Sequence, residues 1–172
     1  MGHVNIEIKA RCADQAKIRE ILKSHQADFK GVDHQIDTYF RVATGRLKLR
    51  EGKIENHLIF YEREDKEGPK QSDVILSETE PGSSLKESLT KALGVLAVVD
   101  KQREIYFIEN VKFHLDNVKG LGTFVEIEAI DAVGDIGRDK LLEQCQHYLQ
   151  LFEIKESDLL KDSYSDEILK KV

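Results

Sequence analysis

Apolar and charged residues alternate along three stretches of the chain, residues 5–11, 46–50 and 124–128. Side chains repeat every two residues along a β-strand, so each stretch predicts a strand with one apolar and one charged face. The charged faces carry, in chain order, Glu7, Lys9 and Arg11, then Arg46, Lys48 and Arg50, then Glu126 and Glu128. If the sheet closes on itself, these faces could line its interior.

The rest of the pattern predicts more strands and several helices. We expect strands at residues 3–11, 35–42, 46–50, 56–63, 73–80, 97–103, 105–109, 112–118 and 123–130. Helices are expected at residues 15–25, from Ser83 or Ser84 to about Leu93, and at 138–152 and 163–171, with a loop over 64–72. Many antiparallel strands joined by short turns indicate a barrel or a sandwich, and periodicity alone leaves both open.

Composition restricts the class of protein. The 172 residues, 40% of them hydrophobic, suit one domain spanning residues 1–172. No apolar run reaches the roughly 18 residues of a membrane span, and no signal peptide is evident, so we expect no membrane partner. Cys12 and Cys145 lack metal-ligand spacing, which favours a reducing cytoplasm. The net charge of −6 argues against nucleic-acid binding, although cations confined to a pocket could still bind phosphate.

The carboxylates of Glu126 and Glu128 are neighbours on one strand face and should repel each other unless a cation lies between them. Asp116 precedes them on a strand that a hairpin would bring alongside, and Glu7 offers a fourth carboxylate. This set predicts an oxygen-rich site for Mg²⁺ or Mn²⁺. The alternative, which spacing alone leaves open, is a solvated hairpin face.

Cations recur with the same two-residue spacing on four strands. Arginine forks and lysine point charges both suit phosphate oxygens, so these side chains are candidates for binding a polyphosphate. A single pair of this kind is more often a solvated surface, but four strands that repeat the pattern favour a function. The candidates are Lys9, Arg11, Arg46, Lys48, Arg50, Arg63, Lys101 and Arg103.

Several segments together resemble the CYTH superfamily, also called triphosphate tunnel metalloenzymes. Asn5-x-Glu7-x-Lys9 is similar to the family's Glu-x-Glu-x-Lys signature, and residues 35–40 and 47–52 are similar to its second and third strands. The most distinctive match is His114-Leu115-Asp116 followed by residues 120–128, Gly-Leu-Gly-Thr-Phe-Val-Glu-Ile-Glu. Residues 162–166 resemble a Ser-Tyr-Ser segment of the class IV adenylyl cyclase-like branch.

The resemblance implies a mostly β fold with flanking helices, in which eight antiparallel strands form a barrel with a charged tunnel. It implies Mg²⁺ or Mn²⁺ held by Glu7, Asp116, Glu126 and Glu128. It also implies phosphates bound by Lys9, Lys48, Arg50 and Arg103, with a looser match for Arg63 and Lys101. Among these residues, Lys9, Arg103 and Asp116 are the expected catalytic side chains.

One position departs from the family pattern, since Asn5 stands where the signature has its first Glu. A neutral amide is a weaker ligand than a carboxylate for a hard cation, so the site could hold one metal ion or two. The expected activity is cyclisation of ATP to cyclic AMP and pyrophosphate. The alternatives are hydrolysis of thiamine triphosphate or tripolyphosphate, a weakly catalytic triphosphate-binding module, and a barrel that carries an apolar ligand. The expected partner is a small-molecule triphosphate, and the chain could be a monomer or a homodimer.

Overall fold

The computed structural model describes residues 2–171, so the two terminal residues of the expected single domain lie outside the described part. Nine strands form one antiparallel sheet, and four α-helices flank it. The strands are β1 (Gly2–Arg11), β2 (Asp28–Phe40), β3 (Arg46–Glu51), β4 (His57–Arg63), β5 (Lys70–Glu78), β6 (Val95–Ile108), β7 (Val111–Val118), β8 (Gly122–Asp131) and β9 (Leu159–Leu160). The helices are α1 (Gln15–Ser24), α2 (Leu85–Leu93), α3 (Arg138–Leu151) and α4 (Tyr164–Lys170).

The sheet is a closed barrel of eight antiparallel strands, as expected. Its order is β5-β4-β3-β2-β6-β7-β8-β1, and β1 pairs with β5 to close the ring. The short strand β9 pairs antiparallel with the last part of β1, opposite Lys9 and Ala10. Closure leaves the eight strands with no open edge, so their inward faces surround a common interior.

The two faces of β1 show how the sequence pattern relates to the barrel. Its apolar residues Ile6, Ile8 and Ala10 point outward and are buried in a core with α1 and α3. Its polar residues point inward instead. The densely charged faces are therefore an interior surface, because helices cover the apolar faces from outside.

A second core fills part of the barrel interior. It includes Val99, Val118 and Phe124, and α4 adds Tyr164, whose ring centroid lies 5.0 Å from that of Phe124. Helix α4 begins with a capping box, in which the Ser163 side chain accepts from the Asp166 backbone and Asp166 accepts from the Ser163 backbone. The cap fixes the helix start that places Tyr164 inside the barrel.

Two predicted strand boundaries were wrong. Residues 97–103 and 105–109 form one continuous strand, β6, because Glu104 keeps its pairing with both neighbours and points outward to Arg19. Strand β2 begins at Asp28 rather than near Gln35. The inward residues of β2 before Gln35 are polar, so apolar and polar residues do not alternate in that part of the strand. A register shift near Gly31 also interrupts the pairing with β6.

The predicted loop over 64–72 was too long, and the pairing of β9 was not predicted. Strand β5 starts at Lys70, whose side chain is fully buried. Its ammonium donates to the backbone oxygens of Lys66, Leu160 and Lys161. These bonds tie the loop and the segment around β9 to the barrel wall.

None of the helices in the described part of the chain combines the length and apolarity that crossing a membrane requires.

Candidate active site in the barrel interior

The inward side chains enclose a cavity of about 280 Å³. Most of the side chains that line it are polar or charged, whereas the apolar-ligand hypothesis requires an apolar lumen. The ionisable side chains on the wall, beyond the tyrosines, are His3, Glu7, Lys9, Lys48, Arg50, Glu55, His57, Arg63, Lys101, Arg103, Lys112, His114, Glu126 and Glu128.

One part of the wall is a cluster of cations around Asp37. This carboxylate is 1% exposed and accepts two hydrogen bonds of 2.9 Å from Arg50 and one of 2.6 Å from Lys101. The ammonium of Lys48 lies 3.4 Å away. Although burial opposes ionisation, the charges of Arg50, Lys101 and Lys48 hold the pKa of Asp37 well below its usual range. Asp37 therefore fixes three cations in one arrangement behind the cavity surface.

Another part of the wall is acidic and lies on β1 and β8. Antiparallel pairing puts Glu7 opposite Glu128 and Lys9 opposite Glu126. Strand β7 adds His114 directly opposite Glu126, with its Nδ1 3.3 Å from Glu126 Oε2. Ligand atoms of His114, Glu126 and Glu128 all lie within 4.8 Å of one another. The register alone therefore brings together a group that could bind a metal ion.

Polar atoms next to this group are buried without partners. Asn5 donates through Nδ2 to Glu128 Oε1 at 2.6 Å, but its own Oδ1 has no hydrogen-bond partner among residues 2–171. His114 Nε2 is also buried and finds no partner among these residues. Buried acceptors of this kind are unfavourable unless something fills the gap. A cation in the adjoining cavity would give these atoms and the carboxylates a partner, so the residues fit a divalent metal ion.

The four residues predicted to bind metal have different surroundings. Glu126 and Glu128 lie in the group described above. Glu7 lines the cavity, with Oε1 3.5 Å from Arg63. Asp116 is fully buried, and it accepts from Arg103 at 2.7 and 2.8 Å and from the Tyr164 hydroxyl at 2.7 Å. The register sets Asp116 opposite Phe124, one inward position beyond Glu126, and so its carboxylate orients Arg103.

Six of the eight predicted phosphate-binding cations line the cavity, namely Lys9, Lys48, Arg50, Arg63, Lys101 and Arg103. Arg11 and Arg46 lie away from the cavity wall, because they are the last residue of β1 and the first of β3. Arg11 is exposed, with its guanidinium carbon 5.4 Å from the Phe124 ring centroid. Arg46 donates to Asp166 of α4 at 2.8 Å. An alternating pattern identifies a strand face but does not show how far the cavity extends along it.

The sequence analysis missed three charged residues of the site. Lys112 shares the inward face of β7 with His114 and Asp116, so alternation on that strand could have identified it. Asp37 lies inside the predicted strand 35–42, but its neighbours on the inward face are the uncharged Gln35 and Tyr39, so no alternation of charge indicated it. Glu55 lies in the turn between β3 and β4 and forms ion pairs with Arg50 and Lys112. No local pattern indicates Glu55, since a turn has no repeating face.

The charges of the cavity nearly cancel. Seven cationic side chains and four carboxylates line it, and the carboxylates of Asp37 and Asp116 bind the same cations from behind. One net positive charge remains if the histidines are neutral. A linear triphosphate brings several negative charges, so its binding would be strongly favoured by a divalent cation bound beside it.

Glu128 should make the metal-free protein less stable as the pH rises through neutrality. Burial raises the pKa of this carboxyl to about 7; Lys112 opposes the rise, and Glu7 and Glu126 add to it. An acid whose pKa is raised by folding stabilises the folded state below its unfolded pKa, and this contribution is lost as pH rises through the folded pKa. We therefore expect Glu128→Gln to gain about 3 kcal/mol over wild type between about pH 4 and pH 8. Urea unfolding in chelator measures this gain, and parallel pH profiles for the two proteins would contradict it.

Asn5→Glu should strengthen divalent-metal binding and weaken the metal-free protein. The new carboxylate would replace an amide that now donates to Glu128, so two acids would meet in a confined space. We expect a lower melting temperature than wild type in chelator and a larger upward shift on adding Mn²⁺. Asn5→Gln is the matched control, because it has the same length without the charge. Equal metal-induced shifts in Asn5→Glu and wild type would mean that residue 5 does not face the ion.

Comparison with known proteins agrees with this geometry. The CYTH domain family matches residues 3–164. A Methanocaldococcus jannaschii protein named "Putative adenylate cyclase MJ0240" is 28% identical over 176 residues, which cover 94% of this chain and 96% of that protein. The structure of PH1012 protein from Pyrococcus horikoshii OT3 superposes with a TM-score of 0.77 at 24% identity, covering 94% of this chain and 98% of the other. The structure of HpAC1 from Hippeastrum, described as a "putative adenylyl cyclase" with a dominant triphosphatase activity, gives a TM-score of 0.64 at 14% identity over 98% of this chain and 95% of the other. At these identities the two structures show a shared fold.

Proposed function

Because the chain belongs to the CYTH family, we propose that it is a metal-dependent phosphoryl-transfer enzyme that acts on a linear triphosphate. The observation that carries this proposal is the presence of two charge clusters in one cavity inside the barrel. The cations around Asp37 and the acidic group around Glu126 line the same space. This separation of charge suits a polyphosphate bound along one wall and a divalent cation on the other.

The cations would bind and orient the phosphates. Arg50 and Arg103 each donate two hydrogen bonds to a buried carboxylate, which fixes the positions of their charges before the substrate arrives. Lys9 lies between the two clusters, 3.5 Å from Glu126 and with its ammonium 3.8 Å from the centroid of the Tyr164 ring. Charges fixed in advance stabilise negative charge in the transition state without reorganisation.

The acidic group would hold the metal ion through Glu126 and Glu128, with Glu7 available nearby. A bound divalent ion would neutralise charge on the phosphates and orient the attacking oxygen. Arg103 approaches Glu126 to 3.6 Å, and its charge also acts on Arg50 and Lys101 of the cluster around Asp37, so it lies between the two clusters. We propose that the reacting phosphorus lies there, between Lys9, Arg103 and the carboxylates.

The protein is proposed to act in the cytoplasm, in keeping with its two free, buried cysteines.

The proposed reaction is attack of the ribose 3′-hydroxyl of ATP on the α-phosphorus with release of pyrophosphate. Support comes from the name of the relative from Methanocaldococcus jannaschii and from the Ser163–Asp166 segment, whose cap places Tyr164 in the cavity wall. The second candidate is hydrolysis, in which water attacks the terminal phosphorus. It is supported by the triphosphatase activity named for the Hippeastrum protein.

A substrate panel separates these candidates. ATP, thiamine triphosphate and tripolyphosphate are incubated with Mg²⁺ or Mn²⁺, and cyclic AMP, pyrophosphate and orthophosphate are measured. Cyclic AMP with equimolar pyrophosphate supports the cyclase, whereas orthophosphate from the terminal position supports the hydrolase. Tight binding with no product over hours would instead indicate a binding module. Glu126→Gln is the control for contaminating activity, and unchanged divalent-ion affinity in Glu126→Gln and Glu128→Gln would contradict the metal assignment.

A further inference from the structure

The acidic group of the cavity includes a histidine, whose ring nitrogens can bind a metal ion. His114 is 2% exposed and faces the cavity from β7, directly across from Glu126. Its Nδ1 lies 3.3 Å from Glu126 Oε2, and its Nε2 is buried with no hydrogen-bond partner in the described part of the chain. A buried imidazole whose second nitrogen lacks a partner is unusual, because satisfied histidines bond both nitrogens or expose one to water.

A second unpartnered acceptor lies on the same wall. Asn5 is 2% exposed, and its Nδ2 donates to Glu128 at 2.6 Å, which fixes the amide beside that carboxylate. Its Oδ1 then remains buried without a donor. Both orphaned atoms have lone pairs, and both belong to side chains that contact the two carboxylates. A hydrogen-bond donor from the protein would have to come from another side chain, whereas one cation could contact the two orphaned atoms and the two carboxylates together.

We propose that a nitrogen of His114 ligates the divalent ion together with Glu126 and Glu128, and that the amide oxygen of Asn5 is the fourth ligand. The inference rests on the proposed function, because it concerns the metal of the same cavity. The donor set differs from the four carboxylates expected from the sequence, since Asp116 is bound to Arg103 and Glu7 lies beside Arg63.

The donor set also determines the class of metal. Mg²⁺ prefers oxygen ligands, whereas imidazole favours first-row transition metals. With one nitrogen and three oxygen donors, the site should prefer Mn²⁺ or Co²⁺ over Mg²⁺, and Co²⁺ over Mn²⁺. Two carboxylates and two neutral groups together balance the charge of one divalent ion, so the set is complete for a single ion.

The test is pulsed electron paramagnetic resonance on the Mn²⁺-loaded protein. A directly bound imidazole gives a nuclear modulation from ¹⁴N, which changes frequency when the histidines are labelled with ¹⁵N. We expect this signal in wild type, its loss in His114→Asn, and its persistence in His57→Asn, the matched control on β4 that also faces the cavity. We also expect His114→Asn to lower Mn²⁺ affinity at least about tenfold, because loss of a residue that only hydrogen-bonds a metal ligand generally has an effect of that size. Mg²⁺ affinity should fall less.

A second variant guards against misfolding of His114→Asn. The double variant His3→Asn, His57→Asn leaves His114 as the remaining imidazole on the described cavity wall and should keep the full signal. Mn²⁺ binding without nitrogen modulation in wild type, or a signal lost in the double variant, would overturn the inference and leave the proposed function standing. Failure of any divalent ion to bind, with or without tripolyphosphate, would overturn both.

Discussion

Replacing Asp37 with Asn should lower the free energy of unfolding by about 3–5 kcal/mol, because it leaves buried cations without their counter-charge. Asp37 binds Arg50 through two hydrogen bonds and Lys101 through one, and Lys48 lies within 3.4 Å. Burial lowers the pKa of Lys101, and the charge of Asp37 opposes that effect. The asparagine variant keeps the shape of the side chain and removes the charge.

Tripolyphosphate should restore much of the stability lost in Asp37→Asn. The ligand is expected to contact the same cations, so its negative charge would replace that of the missing carboxylate. The upward shift in melting temperature on adding tripolyphosphate should therefore be larger in the variant than in wild type.

Asp33→Asn is the matched control for this experiment. Asp33 is a buried acid on the same strand, but it accepts from the backbone of residues 53–55 rather than from cavity cations. It should lose stability without any gain in the ligand-induced shift. Equal shifts in all three proteins would mean that the cations around Asp37 do not bind the phosphates.

Arg103→Gln should reduce kcat by about 10²- to 10³-fold, the size of effect expected when one fixed charge that faces the transition state is removed. Arg103 is 3% exposed, is held by Asp116 at 2.7 and 2.8 Å, and reaches to within 3.6 Å of Glu126. It therefore lies at the junction of the two charge clusters. The measurement is the steady-state rate with the best substrate of the panel.

Two control variants separate charge from geometry. Arg103→Lys keeps a cation but lacks the fork that Asp116 holds, so its kcat should fall between those of wild type and Arg103→Gln. Arg19→Gln removes a similar two-bond pair, with Glu104, on the outside of the barrel, and it should leave kcat unchanged. Full activity in Arg103→Gln would show that this guanidinium takes no part in the reaction.

The sequence by itself determined which faces of the strands are special. Alternation along residues 5–11, 46–50 and 124–128 predicted strands with charged faces, since a strand repeats every two residues. Charged faces of both signs, with apolar residues on the other side, indicate that the apolar faces are buried, and they leave open whether the charged faces are enclosed or solvated. The family motifs then identified a barrel, which the strand order and the pairing of β1 with β5 confirm.

Only the tertiary structure decided which charges meet. Asp116 was expected to bind the metal ion with Glu126 and Glu128, and its position along their strand was left open; the hairpin register sets it opposite Phe124, where Arg103 and Tyr164 bind it. Glu55 comes from a turn and reaches the cavity through contacts with residues that are distant in sequence. Arg11 belongs to the same alternating charged face as Lys9, yet it lies away from the cavity wall because it is the last residue of its strand.

The physical reason is the range of each interaction. Alternation is a local property, because it depends on neighbouring residues of one strand. Register, closure and the length of the cavity depend on pairing between distant segments, and a shift of one residue would move a whole charged face to the outside. The sequence therefore determined which strand faces are charged, and the family resemblance predicted that these faces line a tunnel. The pairing of eight strands decided that Asp37 holds the cations and that His114 accompanies the two carboxylates.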